Sequence, residues 1–176
     1  ISSTMLREES QEVVKLGIVG MGRVGKRFLT EVPFVSGIRV EAAFDVDMES
    51  LKDYLKDKEG IGACADFDEL LEKSDAVYVA TPHLSHYEYC KRAILAGKHV
   101  LCETPFVLDG RQAEELYDLA KVHQVVLMEA NKTAHCPAFN HLMVMIKSGV
   151  IGTVVDIEAS LSKLLPDKSL REFDPA

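Results

Sequence analysis

The stretch Lys15-Leu16-Gly17-Ile18-Val19-Gly20-Met21-Gly22-Arg23-Val24-Gly25-Lys26-Arg27-Phe28 constrains this chain more than any other. It reads as a short buried strand, a glycine turn and the start of a helix. Gly20, Gly22 and Gly25 stand in the spacing G-x-G-x-x-G, and each has a physical task. Gly20 lets the chain turn sharply out of the strand. Gly22 carries no Cβ, so a pyrophosphate can come close to the backbone. Gly25 lets the helix pack tightly on the strand. The N–H groups at the helix start, with the positive end of the helix dipole, then face phosphate; a well-placed anion there gains about 0.3–2 kcal/mol.

The context supports a dinucleotide site. An apolar strand precedes the glycines, and Val24, Phe28 and Val32 continue at helical spacing. A second apolar run, 38–44, ends in Asp45, twenty residues past Gly25. That is close to the ~20 expected of a carboxylate that binds the adenosine ribose. A tight turn beside a solvated Asp is the competing reading.

The rest of the chain alternates strand and helix, which predicts a doubly wound parallel sheet covered on both faces. Strands are expected at 14–19, 38–44, 60–65, 75–80, 98–102 and 125–129. Helices are expected at about 22–32, 47–56, 67–72, 85–96, 109–123 and 137–147. Asp66 should cap the third helix, with Glu69 as its capping-box partner. Right-handed crossovers give the strand order 3-2-1-4-5-6. A further strand is expected at 153–161, opening a second, incomplete α/β domain. The expected division is a leader at 1–12, a Rossmann domain at 13–131 and the start of another domain at 132–176. Ligands of such sheets bind beyond the carboxyl ends of the strands. This gathers Gly20–Gly25, Asp45, Thr81–His83 and Glu103–Pro105 around one crevice.

Composition narrows the function. The 176 residues carry a net charge of −8 with no basic run, which argues against nucleic acid and against an anionic membrane surface. No apolar run approaches the ~20 residues of a membrane span, and residues 1–12 lack a signal-peptide pattern. A cytoplasmic protein is expected. Cys64, Cys90, Cys102 and Cys136 form no C-x-x-C pair, and the six histidines form no H-x-x-x-H pair, so no metal site is expected.

Several stretches together resemble the Gfo/Idh/MocA oxidoreductase family: Gly20–Gly25, Ala80-Thr81-Pro82 with His86, the run from Ala96 to Glu103, and the run from Gly149 to Val154. The resemblance extends from Val14 to about Ser160. It implies an N-terminal NAD(P)-binding Rossmann domain followed by a C-terminal domain that supplies part of the substrate site and the homo-oligomer interface. It implies hydride transfer on a sugar, inositol or related polyol. Residue by residue, it puts Gly20, Met21, Gly22, Arg23, Val24 and Gly25 on the pyrophosphate and Asp45 on the adenosine ribose. It puts Thr81, Pro82, His83 and His86 beside the cofactor, and Glu103 near the nicotinamide ribose. Asp45 favours NAD over NADP, because its carboxylate accepts from ribose hydroxyls and repels a 2′-phosphate.

Two departures from the family pattern stand out. The usual Glu-Lys-Pro reads Glu103-Thr104-Pro105, so the catalytic lysine is replaced and the catalytic residue is left unassigned. The arginine expected after Met128-Glu129-Ala130 is also missing; Lys132 and His135 are the nearby cations. The alternative to a dehydrogenase is therefore an NAD-binding regulatory or scaffold protein. A bare nucleotide-sugar or S-adenosylmethionine domain fits the glycines but leaves the Thr-Pro and Gly-Lys-His-Val segments unexplained.

Overall fold

The computed structural model describes residues 13–160 and 162. Six strands form one parallel sheet in the order β3-β2-β1-β4-β5-β6. They are β1 (Val14–Val19), β2 (Ile38–Phe44), β3 (Gly62–Ala63), β4 (Ala76–Val79), β5 (His99–Cys102) and β6 (Leu127–Glu129). The expected order is the observed one, and the direction in which strands are added reverses between β1 and β4, which pair in parallel.

Alternation along each strand divides the core between the two faces. On one face, α1 (Arg23–Glu31) and α2 (Met48–Leu55) bring Leu29, Leu51 and Leu55 against Leu16, Ile18, Ala43 and Tyr78. On the other, α3 (Phe67–Glu72), α4 (His83–Leu95) and α5 (Gly110–Val122) bring Phe67, Leu70, Cys90, Ile94 and Leu116 against Val19, Val77, Val79 and Cys102. β1 and β4 are apolar throughout their buried length because helices cover both sides.

Helix starts follow local chemistry. Asp47 caps α2 by accepting from the Ser50 N–H, and Asp109 caps α5 by accepting from the Arg111 N–H. Asp66 caps α3 by accepting from the Glu69 N–H at 2.8 Å, and Glu69 reaches back to the Ala65 N–H at 2.6 Å, one residue before the cap. α4 begins two residues earlier than expected, at His83 rather than Ser85. Pro82, at φ −58° and ψ 145°, forms the cap, and the Ser85 N–H and hydroxyl both donate to its carbonyl oxygen.

Two strands are shorter than expected. β3 is an edge strand of Gly and Ala, pairing only through Gly62 and Ala63. β6 starts at Leu127 because the Val125 N–H closes the end of α5 on the Ala120 carbonyl, and the Val126 N–H donates to His99 Nδ1.

A second unit begins at Lys132. Its helices are α6 (Lys132–His135), which was not anticipated, and α7 (Pro137–Lys147), at the expected bounds. The strand expected at 153–161 is not formed over 153–160, where no partner strand pairs with the chain; residue 161 lies outside the described residues. The leader at 1–12 also lies outside them. Cys64, Cys90 and Cys102 are buried free thiols and Cys136 is half-buried. Among the described residues no helix is long and apolar enough to cross a membrane.

Candidate functional site

Strand register builds the site. Phe44, Val19, Val79, Cys102 and Glu129 lie in one line across β2, β1, β4, β5 and β6. The ladder continues one residue past that line: Gly20 N–H donates to Phe44 O, Ala80 N–H to Val19 O, Glu103 N–H to Val79 O and Ala130 N–H to Cys102 O. The residues just beyond the strands therefore share one lip. From left to right these are Asp45, the glycine turn, Thr81 and Glu103.

Within the glycine turn the three glycines differ. Gly20 has φ +90°, and a Cβ there would lie 2.5 Å from the Ala80 carbonyl oxygen. Gly25 is buried in α1, and a Cβ there would lie 2.1 Å from the Gly20 carbonyl oxygen. Gly22 is exposed, and a Cβ on it would meet nothing within 4 Å. The first and third are needed by the fold. The second leaves open space at the helix start, where no side chain caps α1. An uncapped helix N-terminus behind a Cβ-free backbone suits a phosphate group.

Asp45 is bound into this turn. Its Oδ2 accepts from the Met21 N–H at 2.6 Å and its Oδ1 from the Asp47 N–H at 2.9 Å. It thus fixes the glycine turn to the start of α2. Beside it opens a cleft of about 240 Å³ lined by Met21, Gly22, Lys26, Asp45, Asp47, Ser50 and Leu51. Asp47 is held below the usual carboxylate range by hydrogen bonds from the Ser50 hydroxyl and N–H, with Lys26 adding a smaller effect. The cleft presents two carboxylates and one ammonium.

The β4 and β5 turns are tied together. His86 is fully buried, and its ring nitrogens lie 3.0 Å from the Pro105 carbonyl oxygen and 2.8 Å from the Thr81 carbonyl oxygen. It connects Thr81 to the turn that follows Glu103. His83 is exposed on the first turn of α4, edge-on to His86 at 5.4 Å. The Thr81 and Ser85 hydroxyl oxygens lie 2.8 Å apart. The Glu103 carboxylate accepts from the Tyr78 hydroxyl at 2.5 Å and from the Thr104 N–H at 3.3 Å. Burial, and then that hydrogen bond, pushes the Tyr78 hydroxyl far above the ordinary tyrosine value, so it stays a donor. Thr104 is exposed, and the Thr104–Pro105 peptide is cis. Lys132 and His135 are both exposed on α6.

Sequence reasoning missed Tyr78, Lys26, Asp47 and Ser50. Lys26 directly follows the last glycine, which is its one sequence signal. Tyr78 sits inside an apolar strand and reads as core.

The family profile described as "Oxidoreductase family, NAD-binding Rossmann fold" matches residues 14–131. The chain belongs to the GFO_IDH_MocA oxidoreductase family. Among its curated relatives in this family is scyllo-inositol 2-dehydrogenase (NADP(+)) IolU of Bacillus subtilis, 32% identical over 150 residues, covering 84% of this chain and 45% of the relative. Another is D-xylose 1-dehydrogenase (NADP(+)) of Hypocrea jecorina, 43% identical over 88 residues, covering 50% of this chain and 22% of that protein. Among solved structures, scyllo-inositol dehydrogenase from Lactobacillus casei with bound NAD(H) and scyllo-inositol superposes with a TM-score of 0.73 at 26% identity, over 80% of this chain and 43% of the other. The chain spans less than half the length of these relatives. Among these relatives, two are named for NADP(+) and one was solved with NAD(H).

Proposed function

We propose that this chain is the cofactor half of an oxidoreductase that prefers NAD and transfers hydride to or from a carbinol carbon of a sugar, inositol or related polyol. The observation that carries the reading is the Asp45 carboxylate bound to the Met21 N–H, beside the open space at Gly22. When bound, NAD supplies the hydride acceptor; the protein binds and orients it.

Gly20, Met21, Gly22, Arg23, Val24 and Gly25 would hold the pyrophosphate against the α1 N-terminus. Asp45 would exchange backbone donors for ribose hydroxyls. Thr81, Pro82 and His83 would flank the middle of the cofactor, with His86 acting through the turns it joins. Glu103 would meet the nicotinamide ribose. Asp45 and Asp47 oppose a 2′-phosphate, and Lys26, the ammonium in the cleft, stands beside a carboxylate of its own.

Calorimetric titration of the chain with NAD and NADP, beside Asp45→Ala, tests this. NAD is expected to bind at least about tenfold more tightly than NADP, since like charges a few ångströms apart repel even at a protein surface. The Asp45→Ala variant is expected to narrow that gap to within about threefold. NADP binding as tightly as NAD to the unchanged chain would refute the preference, and binding of neither would refute the cofactor site.

A second reading rests on Thr104. A threonine hydroxyl is a poor acid or base at neutral pH, and general acid–base help is worth about 10²–10⁴ in rate. An NAD-binding regulatory or scaffold protein would bind NAD tightly and give no NADH with any inositol or pyranose. NADH formation by any protein carrying this chain removes that reading.

A further inference from the structure

Glu103 occupies the last place on the lip, and its backbone is fixed by the ladder: its N–H donates to the Val79 carbonyl at 2.9 Å. The ladder does not fix its side chain. A glutamate at a rim has three side-chain torsions, and immobilising such a side chain at the moment of binding costs about 0.5–1.5 kcal/mol. Here the carboxylate is already held. The Tyr78 hydroxyl donates to Oε1 at 2.5 Å from inside the protein.

Tyr78 is itself immobile. It is 1% exposed, and its ring stacks on Phe28 of α1 with centroids 3.8 Å apart and planes 21° from parallel. Tyrosine has only two side-chain torsions, and the stack and the strand set both. The hydroxyl therefore arrives at one place, and Glu103 is the partner it finds there. Phe28 lies on the helix that begins at the glycine turn. One contact chain thus runs from α1 through Phe28 and Tyr78 to Glu103.

We propose that Tyr78 is a positioning residue that holds the Glu103 carboxylate ready for the nicotinamide end of the cofactor. The inference rests on the cofactor reading above. It assigns a second role to a residue that burial alone would class as core. The hydroxyl keeps its proton at all ordinary pH, so Tyr78 acts as a fixed donor and takes no part in proton transfer.

The test measures affinity for two probes, NAD and ADP, on the full chain and on Tyr78→Phe, Glu103→Ala and the double variant. Phenylalanine preserves the stack on Phe28 and removes only the hydroxyl. ADP carries the adenosine and pyrophosphate and lacks the nicotinamide ribose. Tyr78→Phe is expected to weaken NAD about threefold to tenfold, the cost of immobilising one side chain on binding, and to leave ADP unchanged. In the Glu103→Ala background it is expected to change NAD affinity less than about 1.5-fold, as a residue acting through Glu103 must. Three results would overturn the assignment. NAD affinity could be untouched by Tyr78→Phe. NAD and ADP could weaken equally, the mark of a merely structural residue. The loss could be the same with and without the Glu103 side chain. If the unchanged chain binds neither probe, the cofactor reading itself falls, and the role of Tyr78 with it.

Discussion

Gly22 and Gly25 are three residues apart in one motif, and the structure separates their tasks sharply enough to measure. At Gly25 an added Cβ would sit 2.1 Å from the Gly20 carbonyl oxygen and 3.2 Å from its carbon. Carbon–oxygen contact requires more than an ångström of extra room, and the Cβ, fixed rigidly to its own Cα, faces a backbone oxygen that no rotamer change can move. Overpacking costs about 1–3 kcal/mol, and a contact this short against backbone takes the upper part of that range, about 2–3 kcal/mol. Alanine returns about 1 kcal/mol in a helix interior, so a net loss of about 1–2 kcal/mol is expected for Gly25→Ala. At about 2–4 °C per kcal/mol for a chain of this length, the melting temperature falls by about 2–8 °C. At Gly22 a Cβ meets nothing, and φ −69° with ψ −162° is open to any residue. Alanine is a poorer N-cap than glycine, while its smaller unfolded-state entropy returns about 0.4–1 kcal/mol. The two offset, and Gly22→Ala should melt within about 2 °C of the unchanged chain. Its methyl group would fill the space a pyrophosphate needs, and NAD affinity should fall at least about tenfold. Differential scanning calorimetry and NAD titration of both variants give the comparison. Wild-type NAD affinity in a well-folded Gly22→Ala variant would show that the glycine spacing serves the turn alone.

Other outcomes follow from the same contacts. Replacing Asp66 with Ala leaves the Glu69 N–H without its cap and should cost about 1 kcal/mol, read as a fall of about 2–4 °C in melting temperature; Asp66→Asn should recover most of it. The buried Tyr78 hydroxyl keeps its proton at pH values where an unfolded tyrosine, near pH 10, loses it. Its contribution is therefore full below about pH 10, and stability should fall above that pH by about 1.4 kcal/mol per unit. Denaturant unfolding across pH 9 to pH 11 (about one unit either side of that value) should show this slope in the unchanged chain and a shallower one in Tyr78→Phe. Cys102, pushed up by its hydrogen bond with Cys90 and then by burial, adds a slope from about pH 8.5 to both proteins. Equal slopes in the two would show that the Tyr78 hydroxyl does not stay protonated.

How much of this was legible in the sequence depends on whether the determining contact was local. The later parts of Val14–Val19 and Ile38–Phe44 are apolar because both sheet faces are covered there, and they could be read from the chain directly. Caps at Asp47, Asp66 and Asp109 depend on residues two or three positions away, and they too were readable. The start of α4 was not: the helix was expected from Ser85, but it begins at His83, and Ser85 serves Pro82 from within the first turn. The shortened β6 depends on His99, far off in sequence, accepting from the Val126 N–H. No pattern in the 125–129 segment carries that information. Residues 153–160 show the same limit from the other side. Their apolar, β-branched composition favours an extended chain, but a strand exists only against a partner, and over these residues none is paired.

The site divides along the same line. Glycine spacing and the distance to Asp45 are properties of one βαβ unit, so a periodic reading finds them. That Asp45 touches Met21 is a consequence of β1 and β2 lying in register from Gly17/Ala42 to Val19/Phe44. Tyr78 and Glu103 are 25 residues apart, and only the β4–β5 register, with Val79 opposite Cys102, brings one hydroxyl to one carboxylate. Tyr78 was hidden because its ring obeys the rule for a buried strand while its oxygen obeys another. A buried hydroxyl needs an acceptor, and in an otherwise apolar β4 that demand is the signal that could have exposed it. Any tyrosine near the carboxyl end of a central parallel strand poses the same question of where its proton goes, and in this fold the neighbouring lip residue is the nearest answer.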